Sequence, residues 1–213
     1  MKRKRLCDII LVLLLSVAAY AVDSTKVASV YNGTTLKLDI ASPVIVPAAT
    51  GWKIQNYEMA VNVRLAQRYY PTFEVGYAGG SANRGDSISY KGHGGFFRIG
   101  ADINPLKKHP ESPHAMLIGL RIGTAVQGFD NGVGNKSGIV ADCWGEIVAG
   151  CQVEIAKVNK TAFYMGWQGR FKFLFTRELD GMPAVDRAAI YIPGYGFRDN
   201  IGWGASYHLG WRF

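Results

Sequence analysis

The sequence predicts an all-β protein, a closed antiparallel up-and-down transmembrane β-barrel of about eight strands. Three observations predict it: apolar residues recur at period two in segment after segment, charge is confined to one of the two faces so defined, and long and short links alternate along the chain. The ending "GWGASYHLGWRF" is the clearest case. Ile201, Trp203, Ala205, Tyr207, Leu209, Trp211 and Phe213 take every second position, while Gly202, Gly204, Ser206, His208, Gly210 and Arg212 fill the gaps. Period two is the signature of a strand with one apolar and one polar face.

The chain opens differently. "MKRKR" is a basic n-region, "IILVLLLSVAA" an apolar h-region and "AYA" a small-x-small cleavage site, so residues 1–21 read as a secretory signal. The apolar run is shorter than the roughly 20 residues of a spanning helix. Residues 22–35 are expected to form a short periplasmic tail and 36–213 the barrel. The full chain carries a net charge of +8; without residues 1–21, twenty basic and fifteen acidic residues remain, a net charge of +5. The basic residues are dispersed among acids, which excludes a nucleic-acid-binding stripe. Cys143 and Cys151 lie eight positions apart in one expected strand, too far for a disulfide, and no cysteine or histidine spacing suits a metal.

Eight alternating segments follow in order. Leu36, Leu38 and Ile40 mark the first, Tyr57 to Leu65 the second, Phe73, Val75 and Tyr77 the third, and Phe97 to Ile103 the fourth. Met116 to Val126 give the fifth, Ile147 to Ile155 the sixth, Phe163 to Phe175 the seventh, and the terminal string the eighth. The opposite faces carry Lys37, Asp39, Glu58, Arg64, Glu74, Arg98, Asp102, Arg121, Glu146, Glu154, Arg170, Lys172 and Arg212, seven bases against six acids interleaved with glycines. Isolated buried charges would be too costly, so these are expected to pair into a lumenal charge network that plugs the barrel. "QRYYP" and "KVNK" are short links; "SPVIVPAATGWKIQ", "GGSANRGDSISYKG", "GFDNGVGNKSGIVAD" and "RELDGMPAVDRAAIYIPGYGFRD" are long, with "NPLKKHPESPH" the longest on the short side. That alternation fits short periplasmic turns and long outer loops.

Either face of such a barrel could be the buried one. The strands match a tilted bilayer crossing of about 9–11 residues rather than the usual 5–6 of soluble strands. Aromatic residues gather near strand ends, as two interfacial girdles require. An eight-stranded interior has room for its own side chains only; tryptophan and phenylalanine from every strand would overfill it, whereas arginine and glutamate between glycines fit. The apolar faces are therefore expected to meet lipid.

With these residues in view, the chain resembles a small outer-membrane β-barrel of the eight-stranded OmpA/OmpX type. It is more closely similar to a group of Bacteroidota outer-membrane barrels, through "TLKLDIASPV", "YEMAVNVRLAQRYYPTFEVGYA" and the aromatic finish. The likeness covers residues 30–213. It implies the outer membrane of a Gram-negative bacterium as location, outer-membrane lipid including lipopolysaccharide as surroundings, and no nucleic-acid partner. It also implies that Tyr207, Leu209, Trp211 and Phe213 form the assembly signal read by the barrel-assembly machinery.

The residues offer little chemistry. His93 in "SYKGHGG" is expected at the outer rim near Asp86, Ser87 and Ser89, whereas His109, His114 and His208 fall at the periplasmic end. "DNGVGNKSG" has oxygen ligands but lacks the closing glutamate of a calcium loop. The expectation is a non-enzymatic barrel with no cofactor and no metal, whose outer loops serve surface interaction or envelope integrity. The alternatives are an outer-leaflet lipid A-modifying enzyme and a narrow solute channel.

Overall fold

Alternation leaves each strand with two unlike faces, and a sheet whose first and last strands pair hides one face completely. The structure, a computed structural model, describes residues 30–49, 53–84, 88–106, 112–131, 136–176 and 190–213. The expected signal and Asp86, Ser87 and His109 lie outside the described residues. Strands run Tyr31–Asp39 (β1), Ile54–Leu65 (β2), Tyr69–Arg84 (β3), Ile88–Ile103 (β4), Ala115–Asn131 (β5), Lys136–Val158 (β6), Thr161–Leu174 (β7), Tyr191–Ile192 (β8), Gly196–Phe197 (β9) and Ile201–Arg212 (β10). Eight of them close an antiparallel barrel in the order β1-β10-β7-β6-β5-β4-β3-β2, and β8 with β9 forms a separate small hairpin. The terminal strand seals the barrel against the first, from Thr35 opposite Arg212 to Asp39 opposite His208.

Strand pairing begins earlier than expected, since residues 31–35 belong to β1 rather than to a tail. A register shift between Tyr31 and Thr34, with Gly33 at φ +114°, breaks the alternation there and conceals the strand from a periodicity reading. At one end of the barrel the turns are tight. Ala66 and Gln67 adopt left-handed φ values of 46° and 61°, with the Gln67 N–H donating to Asn32 Oδ1 at 2.9 Å. Asn159, at φ 55°, turns β6 into β7.

The opposite end departs from the expectation of long loops. β3, β4, β5 and β6 extend to 16, 16, 17 and 23 residues, so most of "GGSANRGDSISYKG" and "GFDNGVGNKSGIVAD" is paired strand. Glycine and serine permit either reading locally, and cross-strand pairing decides it. On the other side of the barrel β1, β2, β7 and β10 hold only 9 to 14 residues. There the chain leaves β1 and forms a helix, Ser42–Ala49 (α1), where sequence reading expects a loop. Asp39 caps it: its carboxylate accepts the Ala41 N–H at 3.0 Å and the Ser42 N–H at 3.2 Å and also meets the Ser42 hydroxyl.

Facing follows the alternation. Leu38, Tyr57, Ile99, Leu120, Ile147, Trp167 and Trp203 are exposed outside, the last by 76%, while the charged face is buried within. The interior is not polar throughout, however. Phe96, Trp144, Ile190, Tyr191, Ile192 and Tyr195 form a buried cluster near the tall end, and Tyr70, Ala115 and Leu117 a second one. Cys143 and Cys151 both lie on β6 and are not joined in a disulfide.

Asp39→Ala should lower stability by about 1 kcal/mol through loss of the cap. Denaturant titration by circular dichroism checks this, and Asp39→Asn should recover most of the difference.

Candidate functional site: the charged lumen and its plug

Residues two apart along a strand, and residues paired across neighbouring strands, share one face, so the charged positions point into one lumen, where each buried charge needs a partner. Seven of the thirteen expected lumenal residues meet in one network. Glu74 on β3 faces Arg98 on β4, and Arg121 on β5 faces Glu146 on β6. Arg98 reaches Glu58 at 2.8 Å, Glu74 at 2.9 Å and Glu146 at 3.0 Å. Arg170, from β7, reaches Glu58 and Glu74 at 2.6 Å each and Glu146 at 3.3 Å. Arg121 clamps Asp102 with two bonds of 2.6 and 2.7 Å and touches Glu74 at 3.3 Å. Planar guanidinium groups bridge carboxylates on several strands at once, which a point-like ammonium could not do.

Trp144 donates its indole N–H to Glu146 at 2.6 Å, and its ring lies where any side chain on Gly123 would stand. Gly123 leaves that space on the neighbouring strand; a Cβ there would meet the indole at 2.3 Å.

The other six expected residues do different work. Lys172 donates to the carbonyls of Gly194 at 2.7 Å and Tyr195 at 2.9 Å. Arg64 donates to the carbonyl of Ser112 at 3.1 Å, which braces the tight-turn end. Glu154 accepts the Tyr164 hydroxyl at 3.0 Å, and Arg212 lies over the Tyr164 ring at 4.3 Å. Asp39 caps α1, as above, and Lys37 Nζ is buried without a hydrogen-bond partner. His208 Nε2 and the amides of Asn62 and Gln152 share that condition, so the tight-turn half of the lumen holds polar atoms that need water.

Sequence reading missed the plug. Residues 190–198, taken as outer loop, fold into the lumen. Pro193 and Gly194 make the turn between β8 and β9, with the Tyr195 N–H donating to Ile192 O at 3.1 Å and Gly194 at φ +74°, a conformation glycine allows freely. Arg98 donates to Gly194 O at 2.7 Å, and Arg198 pairs with Asp142 at 2.8 Å. Burial pushes the phenols of Tyr191 and Tyr195 up to about 12. The aromatic spacing of "YIPGYGF" around a Pro-Gly turn was the available signal.

No group of His, Cys, Asp and Glu among the described residues is placed to hold a metal. His93 is exposed on β4, 6.4 Å from the ring of Tyr77, and His114 accepts the Glu154 N–H at 3.2 Å. Ser89 falls within β4.

Arg170→Ala leaves Glu58 and Glu74 short of a partner inside the barrel, a change of a kind that costs about 3–5 kcal/mol. Urea unfolding should show that loss, and Arg170→Met with Glu58→Gln should be less damaging than the single change.

No curated protein matches the chain. The family model described as "Domain of unknown function (DUF6048)" matches residues 4–135, which takes in β1 to β5 with Glu58, Glu74, Arg98, Asp102 and Arg121. That match covers more than half of the sequence, and the protein belongs to this family.

Proposed function

We propose that the protein is a non-enzymatic outer-membrane β-barrel of a Gram-negative bacterium, with a lumen closed by its charge network and plug, and with the tall β3–β6 hairpins making contacts in surface interaction or envelope integrity. One observation carries the reading: the side-chain distribution is the reverse of a water-soluble barrel. Arg98, Arg121, Glu74 and Glu146 are buried inside, while Ile99, Ile118, Leu120 and Ile147 cover the outside. Exposed apolar area on that scale needs a non-aqueous neighbour.

The outer aromatics support the same surroundings. Tyr31, Tyr69, Phe163 and Phe213 lie toward the tight turns, and Tyr57, Tyr77 and Trp203 toward the other end. Tyr77 lies eight positions beyond Tyr69 along β3, about 26 Å of strand at roughly 3.3 Å per residue, which suits a tilted crossing between two interfaces. Outer-membrane lipid including lipopolysaccharide would surround this band. The final strand, with Tyr207, Leu209, Trp211 and Phe213 facing outward, would be handed to the barrel-assembly machinery and then paired with β1.

Expressed with its native start, the protein should fractionate with the outer membrane, need detergent for extraction and change gel mobility on boiling. Leu120→Arg, on the outer face, should cost about 2–4 kcal/mol if the residue lies near the midplane. Recovery as a soluble periplasmic monomer, with Leu120→Arg harmless, would overturn the reading.

The plug has a separate consequence. In planar bilayers the intact protein should conduct little, and removal of residues 190–198 should raise conductance at least several-fold. A large steady conductance from the intact protein would favour a solute channel instead.

A further inference from the structure

The barrel wall is incomplete on its short side. β10 pairs with β7 along its whole length, Ile201 to Arg212, but with β1 only from His208 onward, followed by one bond from the Ile40 N–H to Tyr207 O at 2.9 Å. β2 likewise pairs with β3 from Ile54 but with β1 only from Met59. Beyond Ile40 the chain turns into α1, which packs on β2. The edge of β10 at Trp203 and Ala205, the next residues in the alternating bond pattern, therefore has no strand partner among the described residues. A bare sheet edge is not tolerated in hydrocarbon unless polar groups reach it.

A cleft opens behind this gap. It has a volume of about 170 Å³ and lies between Ser42 and Val46 of α1, the Trp203–Ser206 stretch of β10 and the plug. Sites that enclose a whole drug-sized molecule run to about 300–1,000 Å³, so this one has room for a small polar group only. Its floor carries Arg98, Arg170 and Lys172 with Glu58, and both arginines are already paired with Glu58, Glu74 and Glu146. Lys172 has no ion pair among the described residues; two of its three N–H groups go to plug carbonyls. Gly204 leaves the approach to it open, since a Cβ there would stand 3.0 Å from Lys172 Nζ. Asn56 Oδ1, also in the lining, is buried without a partner and would accept a bond from a hydroxyl-bearing head. The outer lip is apolar, with Trp203 76%, Val44 64% and Ile45 62% exposed.

We propose that this lateral cleft binds an anionic amphiphile: a carboxylate or phosphate head enters beside Lys172, and its alkyl chain leaves through the gap between α1 and β10 across Trp203. The site rests on the membrane reading for its supply of ligand, not for its geometry. Charge selects the head, since Lys172 is a cation of the lining whose hydrogen bonds go to neutral carbonyls. The gap selects a chain, since a free anion would leave the apolar lip and the strand edge uncovered.

The test uses the folded full-length barrel in detergent and palmitate carrying a photoreactive diazirine. Peptide mapping should place the cross-links at residues 42–46 and 203–206. Unlabelled palmitate or hexadecyl phosphate should compete at least fivefold better than dodecyltrimethylammonium, and inorganic phosphate should not compete. Gly204→Leu, which fills the cleft, should reduce labelling at least fivefold. Trp203→Ala, which leaves the lumen untouched, should reduce it several-fold. Labelling spread evenly over the outer faces of all strands, or equal competition by the cationic surfactant, would overturn the proposal even if the protein fractionates with the membrane. Should the protein instead remain folded and soluble without detergent while still labelling at 203–206, the cleft stands and the outer-membrane reading falls.

Discussion

Arg170 extends from β7 across the lumen to carboxylates on β2, β3 and β6, and Arg98 meets the same three acids from β4. Strands that are not neighbours in the wall are tied together through the middle of the barrel. Two guanidinium groups can do this because each offers several donors in a plane, and because all the participants are shielded from water. The rest of the interior is arranged around that arrangement. Glycine at Gly123 makes room for Trp144, Trp144 fixes Glu146, and Glu146 in turn receives both arginines.

Burial makes the network effective and also one-sided in its energetics. A complete set of pairs is close to neutral against an apolar packing of the same volume, whereas an incomplete set strands a charge. The network thus acts more as a constraint on which partners share the lumen than as a large source of stability. Its reach also explains the plug. Arg98 and Lys172 have donors left over, and the carbonyls of Gly194 and Tyr195 accept them. The hairpin of residues 190–198 is therefore held inside the barrel by the same cations that hold the strands, and its aromatics join a small apolar core.

The two sides of the barrel are built unequally. β3 to β6 project as long hairpins, while β1 ends at Asp39, whose carboxylate starts α1 instead of continuing the sheet. A short first strand leaves part of the last strand without a neighbour, and the cation-lined cleft sits behind that opening. Wall, helix cap and cleft are thus consequences of where one strand stops.

Strand existence, approximate number and facing were legible in the residues, because period-two alternation imposes itself wherever the two sides of a sheet meet different surroundings. That Glu58, Glu74, Arg98, Asp102, Arg121, Glu146 and Arg170 share one interior was legible for the same reason. Partner choice was not. Lys37, Asp39, Arg64, Glu154, Lys172 and Arg212 stand on the same face by pattern, yet they meet backbone N–H groups, backbone carbonyls or a tyrosine, and the Lys37 ammonium has no hydrogen-bond partner. Strand length was equally hidden, since glycine- and serine-rich hairpins carry no alternation of their own and become strand only by pairing. The fold of 190–198 depended on contacts with Arg98, Lys172 and Asp142, which lie far away in sequence and come within reach only after the barrel closes. Alternation is a local property and fixes which way a side chain points; height within the lumen is set by register between strands, and only the closed barrel determines which pointing side chains meet.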